Sequence, residues 1–251
     1  MISDQQRSPE DGARGTSPSE RELLIGVLTT LVESLGQALP PTSELLLHDL
    51  AKLPNSIVAI HGDVTRREVG DPATDLLLAG AAHDDFQTRI GYETKLPDGR
   101  QLKSSTVIVR DSRGAAVAAV CVNSDQSVWA ELGRIAGSML ARPETGAGTG
   151  QSVEATTSDV SDEIFTSDVD ELAQHLIERA TAISGIPVEL MRKKHKIDIV
   201  RELSNGGFFM LKGAADKAAS ALQVSRFTIY NYLNEISEAD DDVAGEEKET
   251  A

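Results

Sequence analysis

Apolar residues recur at Leu24, Val27, Leu28, Leu31, Val32 and Leu35. That is the i, i+3, i+4, i+7 spacing of one helix face, and it predicts an amphipathic helix over 22–39, ended by Pro40-Pro41. Shorter apolar runs follow. Leu45 to Leu47 and Ile57 to Ile60 predict two strands, with Leu53-Pro54-Asn55 as a turn. Gly70-Asp71-Pro72 punctuates, and Ala73 to Ala82 predicts a short helix. Ile90 to Lys95 and Leu102 to Arg110 flank Pro97-Asp98-Gly99, a hairpin signal. A second turn at Asp111 to Gly114 leads into Ala115 to Asn123, the most apolar run, and Ser127 to Leu140 reads as a closing helix. The pattern predicts an α+β domain with one antiparallel sheet. Helical periodicity resumes at Leu172, Leu176, Ile177, Ala180 and Ile183 and stops at Gly185-Ile186-Pro187. Further helices are predicted over 193–203, 212–221 and 226–236.

Charge divides the chain more sharply than hydropathy. The 251 residues carry a formal net charge of −16. From Met191 to Ile236, however, eight basic residues stand against four acidic ones, a local charge of +4. The segments 141–170 and 237–251 each sum to −6. A basic module between two acidic stretches points to a polyanionic partner. The boundaries that follow are a disordered lead (1–20), a first domain (21–141), a flexible acidic linker (142–169), a small all-α domain (170–236) and an acidic disordered tail (237–251).

Several classes are set aside. No apolar run approaches the ~18 residues of a membrane span, and Met1 to Glu20 lacks the layout of a signal peptide. A cytoplasmic protein with no membrane partner is therefore expected. The single cysteine, Cys121, excludes a disulfide framework and a cysteine-built zinc site. The five histidines show no metal-ligand spacing, and no phosphate-binding glycine loop is present. No metal or cofactor is expected.

The sharpest motif lies in the basic module. Ala214, Ala215, Ala218, Ala219 and Leu222 scaffold one helix, and Gln223-Val224 makes a short turn. Ser225 is an N-cap candidate for the next helix. The pattern Ala219, Leu222, Val224, Ile229, Leu233 fits a helix-turn-helix, with Val224 plugging the turn and Ile229 and Leu233 facing inward. Ser225, Arg226, Thr228, Tyr230 and Asn231 are then candidates for contact with double-stranded DNA. Arginine can fork onto guanine and asparagine can bridge adenine, while hydroxyls suit phosphate. Lys193 and Lys194 could neutralise phosphates or be a solvated face. Phe227 and Tyr232 read as core.

In the first domain, His48, Arg67, Ser104, Ser105 and Asn123 fall near predicted strand ends and could converge on a small ligand. Arg67 and Lys103 would suit a carboxylate or phosphate. His48 and Ser105 read equally as satisfied structural polar groups, and Cys121 as a buried inert thiol. Ser104 or Cys121 with His48 and Asp49 could be assembled into an enzyme on paper. Without a nucleophile elbow, no enzyme is expected.

Longer words of the sequence carry a resemblance. Lys212-Gly213-Ala214-Ala215 and Val224 to Leu233 (VSRFTIYNYL), preceded by Gly207 to Leu211 (GFFML), resemble the C-terminal helix-turn-helix of the DauR/YheO-like transcriptional regulators. Glu44 to Leu50 (ELLLHDL), Val69 to Pro72 (VGDP), Asp98 to Thr106 (DGRQLKSST) and Cys121 to Asp125 (CVNSD) are similar to their YheO-like PAS domain. The resemblance implies a PAS-like antiparallel sheet with helices joined to a DNA-binding module. The chain departs from the pattern at Arg66, between Thr65 and Arg67, where the family usually has glycine, and at His61, a frequent asparagine.

The expectation is a sequence-specific transcriptional regulator whose PAS-like domain senses a small-molecule effector or mediates dimerisation. A single helix-turn-helix covers few base pairs, so a homodimer on a two-fold site is expected. Segments 22–39 and 170–184 are its candidate surfaces. The alternative is a binding module whose C-terminal helices dock a protein rather than DNA.

Overall fold

A computed structural model describes residues 19–140, 160–161 and 163–249. The expected lead lies almost wholly outside the described residues, as do 142–159 and 162 of the expected linker. Helix α1 (Glu20–Gly36) starts where the Ser19 hydroxyl accepts from the Glu22 N–H and the Glu22 carboxylate accepts from the Ser19 N–H. This reciprocal pair satisfies two otherwise free donors. Strands β1 (Ser43–Asp49) and β2 (Ile57–His61) follow, then helix α2 (Asp75–Ala82). A meander of β3 (Arg89–Lys95), β4 (Gln101–Arg110) and β5 (Ala116–Asp125) leads into α3 (Ser127–Leu140).

The sheet order is β2-β1-β5-β4-β3, antiparallel throughout. A two-residue strand, β6 (Val160–Ser161), adds parallel to β3. The sheet has two unlike faces. Leu45, Leu47, Ala59, Val117 and Ala118 pack under α1 around Val32. On the other face the side-chain period of two aligns Glu44, Leu46 and His48 with Ala119, Cys121 and Asn123, and with Ser104 and Thr106. All of these are buried.

The C-terminal unit holds α4 (Val169–Ser184), α5 (Lys193–Asn205), α6 (Ala214–Ala221) and α7 (Arg226–Glu249). Asp168 caps α4, accepting from the Asp170 N–H at 2.6 Å, and Gly185, at φ 63°, ends it. The apolar face of α4 is buried within the chain: Leu172, Ala173, Leu176 and Ala180 share one core with Ile199, Val200, Leu203 and Phe208. Segment 170–184 is therefore not the open dimer surface expected from its periodicity.

Two expectations of disorder are corrected. Residues 163–166, inside the expected flexible linker, lie against the sheet unit, with Glu163, Phe165 and Thr166 buried. One buried core runs from Leu46, Leu77, Leu78 and Phe86 of the first unit into Leu172 and Phe208 of the second. Asp75 pins this junction, bonding Arg179 of α4 through one oxygen and the Ile164 N–H (2.8 Å) through the other. Helix α7, expected to end at Ile236, continues through Glu249. No proline follows Ile236, so nothing in the backbone stops the helix.

Candidate functional site

The turn between α6 and α7 is built as the helix-turn-helix pattern requires. Gln223 takes the left-handed conformation (φ 51°), and the Val224 N–H returns to the Ala219 carbonyl at 3.0 Å. Leu222 and Ile229 are fully buried, Ala219 is buried, and Val224 and Leu233 are half-buried at the crossing. The Ser225 hydroxyl accepts from the Thr228 N–H at 3.1 Å and bonds the Thr228 hydroxyl at 2.8 Å. Thr228 is thus half-buried and engaged in the cap.

The outward face of α7 carries Arg226, Phe227, Tyr230, Asn231 and Asn234, all exposed. Arg226 lies over the Tyr230 ring (5.5 Å to its centroid), donates to the Tyr230 hydroxyl at 3.0 Å and pairs with Asp216 at 3.3 Å. Phe227 corrects the expectation of a core residue: it is 73% exposed. Ile229, Tyr232 and Ile236 point inward, and Phe227 is about 200° from Ile229 around the helix. Asn234 was missed, although 227, 230, 231 and 234 have the spacing of one face. Tyr232 is core, as expected.

Lys193 and Lys194 are exposed at the start of α5. Lys193 pairs with Glu235 at 2.7 Å, about 13 Å of helix rise beyond Arg226. Lys193 therefore flanks the outward face of α7 rather than joining its N-terminal cluster. Lys196 is spent structurally, donating to the Leu222 carbonyl at 2.7 Å.

In the sheet unit, three of the five candidate ligand residues meet on one buried face. The Ser104 hydroxyl donates to Asn123 Oδ1 at 2.9 Å and bonds the Thr94 hydroxyl at 2.8 Å. The Asn123 amide donates to Glu44 Oε1 at 3.2 Å, and Glu44 also accepts from the Thr65 hydroxyl (2.7 Å) and N–H (2.9 Å). Arg67 Nε donates to the same Thr65 hydroxyl at 3.1 Å. A continuous polar chain therefore crosses the interior from Arg67 to Thr94. Glu44, its hub, is fully buried and was not foreseen.

His48 shares this face but is tied to the Ser56 hydroxyl at 2.8 Å. Burial, with the Arg67 cation nearby, pushes its pKa down to about 3. Ser105 does not join the site. It alternates with Ser104 to the opposite face of the strand and accepts from the Gly91 N–H at 2.9 Å. Lys103 is exposed. Cys121 is buried against the Thr106 hydroxyl at 3.4 Å, and burial pushes its thiol up to about 12, too high for a thiolate nucleophile near neutrality. His48 is bonded to neither Ser104 nor Cys121, so neither pairing assembled from the sequence forms; its hydroxyl partner is Ser56. Among the described residues no cluster of potential metal ligands occurs, and no helix is long and apolar enough to cross a membrane.

The YheO-like PAS domain family matches residues 19–141, and a helix-turn-helix domain family matches 172–234. The chain is 28% identical over 203 residues to the transcriptional regulator DauR of Pseudomonas aeruginosa, covering 80% of this chain and 89% of DauR. It is 27% identical over 215 residues to the uncharacterized protein YheO of Escherichia coli, covering 84% and 83%. The chain belongs to the DauR/YheO-like proteins. An uncharacterized protein of Haemophilus influenzae is 24% identical over 221 residues, covering 87% and 94%.

Arg66, where DauR/YheO-like chains usually have glycine, has φ 59°. The left-handed region costs a residue with a Cβ about 1–2 kcal/mol, and glycine's extra unfolded-state freedom returns about 0.5–1 kcal/mol of that. Arg66 is exposed. Arg66→Gly is expected to raise stability by about 0.5–1 kcal/mol, read as a higher urea midpoint at unchanged slope. A lower midpoint would count against the backbone argument.

Proposed function

We propose that this chain is a cytoplasmic, non-enzymatic transcriptional regulator. Helices α6 and α7 read double-stranded DNA, and the PAS domain senses a small molecule or holds two copies together. The observation that carries this reading is the exposed face at the start of α7, where Arg226, Phe227, Tyr230 and Asn231 project beside the capped helix N-terminus. The name of the Pseudomonas relative, a transcriptional regulator, supports it. Asn231 is assigned to adenine. Phe227 suits the methyl of thymine, an apolar target beside polar base edges. Arg226, already paired with Asp216, must exchange that partner for guanine or phosphate.

A homodimer is part of the proposal. Leu23, Val27, Leu31 and Leu35 form an exposed stripe along α1, and Val128, Trp129, Leu132, Ile135 and Met139 form another along α3. Uncovered apolar stripes of this kind mark association surfaces. Two copies on a two-fold site give each reading helix its own half-site.

The second reading, a protein-docking C-terminal unit, is favoured by the two ion pairs that neutralise basic residues here, Lys193–Glu235 and Arg226–Asp216. Salt separates the two. Binding to fragments upstream of the protein's own coding sequence is expected to weaken steeply as salt rises, because counterions released from phosphates are recaptured. Asn231→Ala is expected to cost about 1–3 kcal/mol on the preferred fragment only. Light scattering of the complex is expected to find two protomers per site. A shallow salt slope with no fragment preference would support protein docking instead.

A further inference from the structure

Arg67 is only 4% exposed, yet its Nη1 has no hydrogen-bond partner. Among the described residues no carboxylate lies within ion-pair distance of its guanidinium. A buried cation left in this way is costly. Two side chains lie nearby, and both come from the junction between the units rather than from the sheet. The Phe165 ring lies 5.2 Å from the guanidinium carbon. The buried Glu163 carboxyl lies beside the hydroxyls of Thr74 and Tyr92, and its Oε2 also lacks a hydrogen-bond partner. One interior therefore holds an unused donor on Arg67 and an unused acceptor on Glu163 that do not reach each other, with the unpaired Thr74 hydroxyl beside the acceptor. The chain has placed a carboxylate and a phenyl ring of its own at a guanidinium without completing the bond.

We propose that residues 163–166 are a built-in occupant of a small-molecule site whose effector is a carboxylate on an apolar arm, anchored by Arg67. The proposal rests on the sensor reading above and specifies its ligand class and its switch. A free carboxylate, not tethered to the backbone, can set both oxygens on the guanidinium fork. It takes the place of the Glu163 carboxyl beside Arg67. The arm has a place to lie. A cavity of about 510 Å3 between α2 and β4 is lined by Leu76, Leu77, Phe86 and Ile108 and reaches Thr106. The Thr106 hydroxyl bonds the Tyr92 hydroxyl at 3.0 Å, and Tyr92 borders Glu163.

The same segment couples the site to the reading helices. The Ile164 N–H is held by Asp75, whose other oxygen bonds Arg179 of α4. Expelling Glu163 and Phe165 draws Ile164 away from Asp75 and loosens the seat of α4 on α2. The effector shifts the population toward an undocked C-terminal unit by its preference for the vacated site.

The test uses the full chain with hexanoate as probe and 1-hexanol as the uncharged control, followed by calorimetry and by hydrogen exchange of residues 163–166. Hexanoate is expected to bind, hexanol not, and the Ile164 amide is expected to lose protection on binding. The double variant Glu163→Ala/Phe165→Ala is expected to bind hexanoate about tenfold or more tightly, because the closed fraction no longer competes. Adding Arg67→Gln is expected to abolish that binding. Equal affinity in the wild type and the double variant would overturn the plug, as would hexanoate binding with Ile164 still protected. Equal binding of hexanol, or binding that survives Arg67→Gln, would overturn the carboxylate site. No binding of hexanoate to the double variant overturns it too. Should Arg67→Gln fail to fold, the hexanol control and the exchange of the wild-type chain decide alone. DNA affinity is measured in parallel: expulsion of 163–166 with DNA affinity unchanged would count against the sensor reading, while a plug that fails leaves that reading standing.

Discussion

Gly207→Ala is expected to cost about 2–4 kcal/mol of stability, far more than the same change at Gly213. Both glycines lie in the C-terminal unit with nearly the same backbone, φ 72° and φ 73°. A Cβ in that region costs about 1–2 kcal/mol at either position. The surroundings differ. A Cβ on Gly213 meets nothing within 4 Å, whereas one on Gly207 falls 2.3 Å from the Leu78 carbonyl oxygen and 2.8 Å from its carbon. Leu78 is fully buried in α2, so its backbone has no room to retreat. Overpacking of this kind adds about 1–3 kcal/mol. Urea unfolding of the two variants isolates the contact, because the backbone cost cancels in the difference. If the units separate instead of straining, Gly207→Ala keeps its helicity while small-angle scattering reports a larger radius. Equal costs at the two glycines, with no expansion, would mean that the close approach of the units does not hold in solution.

Elements were legible where one period ran long enough. The helices α1 and α4 to α6, and the meander β3 to β5, stand close to their expected positions because local periodicity dictates them. The site was half legible. Ser104 and Asn123 were found as polar residues in strands. Ser105 neighbours Ser104 in sequence, but alternation alone sends it to the other face. Glu44 escaped because every residue of β1 is buried, which hides the two-residue period. The apolarity of Phe227 suggests core, whereas its angle from Ile229 around the helix sends it outward. Glu163 and Phe165 escaped for a different reason. Their segment is acidic and poor in apolar residues, which predicts solvation. Its burial comes from contacts far away in sequence, with Asp75 and Arg67, that no local pattern encodes.

Lowering the pH from about 7 to about 4.5 is expected to remove about 2–3 kcal/mol of stability through His48 alone. The imidazole is buried beside the Arg67 cation and titrates at about 3 in the folded chain, against about 6.5 when unfolded. Between those values the unfolded chain holds a proton that the folded chain refuses, so stability rises with pH by up to about 1.4 kcal/mol per unit. It is fully present above the unfolded value and lost as pH falls toward the folded one. Glu163 acts in the opposite sense. Burial raises its pKa, so its contribution is present below the ordinary carboxylate value and lost as pH rises through the folded one. The raw pH profile therefore mixes the two, and the difference between wild type and His48→Gln separates them. Glutamine can still offer a hydrogen bond to Ser56 but does not titrate. That difference is expected to shift by about 2–3 kcal/mol over the window in urea unfolding, and a constant difference would show that His48 is not held neutral. Near neutral pH a His48 held neutral contributes no charge to the interior beside Arg67. A change in the charge state of that interior then has to come from its carboxylates or from a ligand, and His48 serves it as a fixed neutral wall.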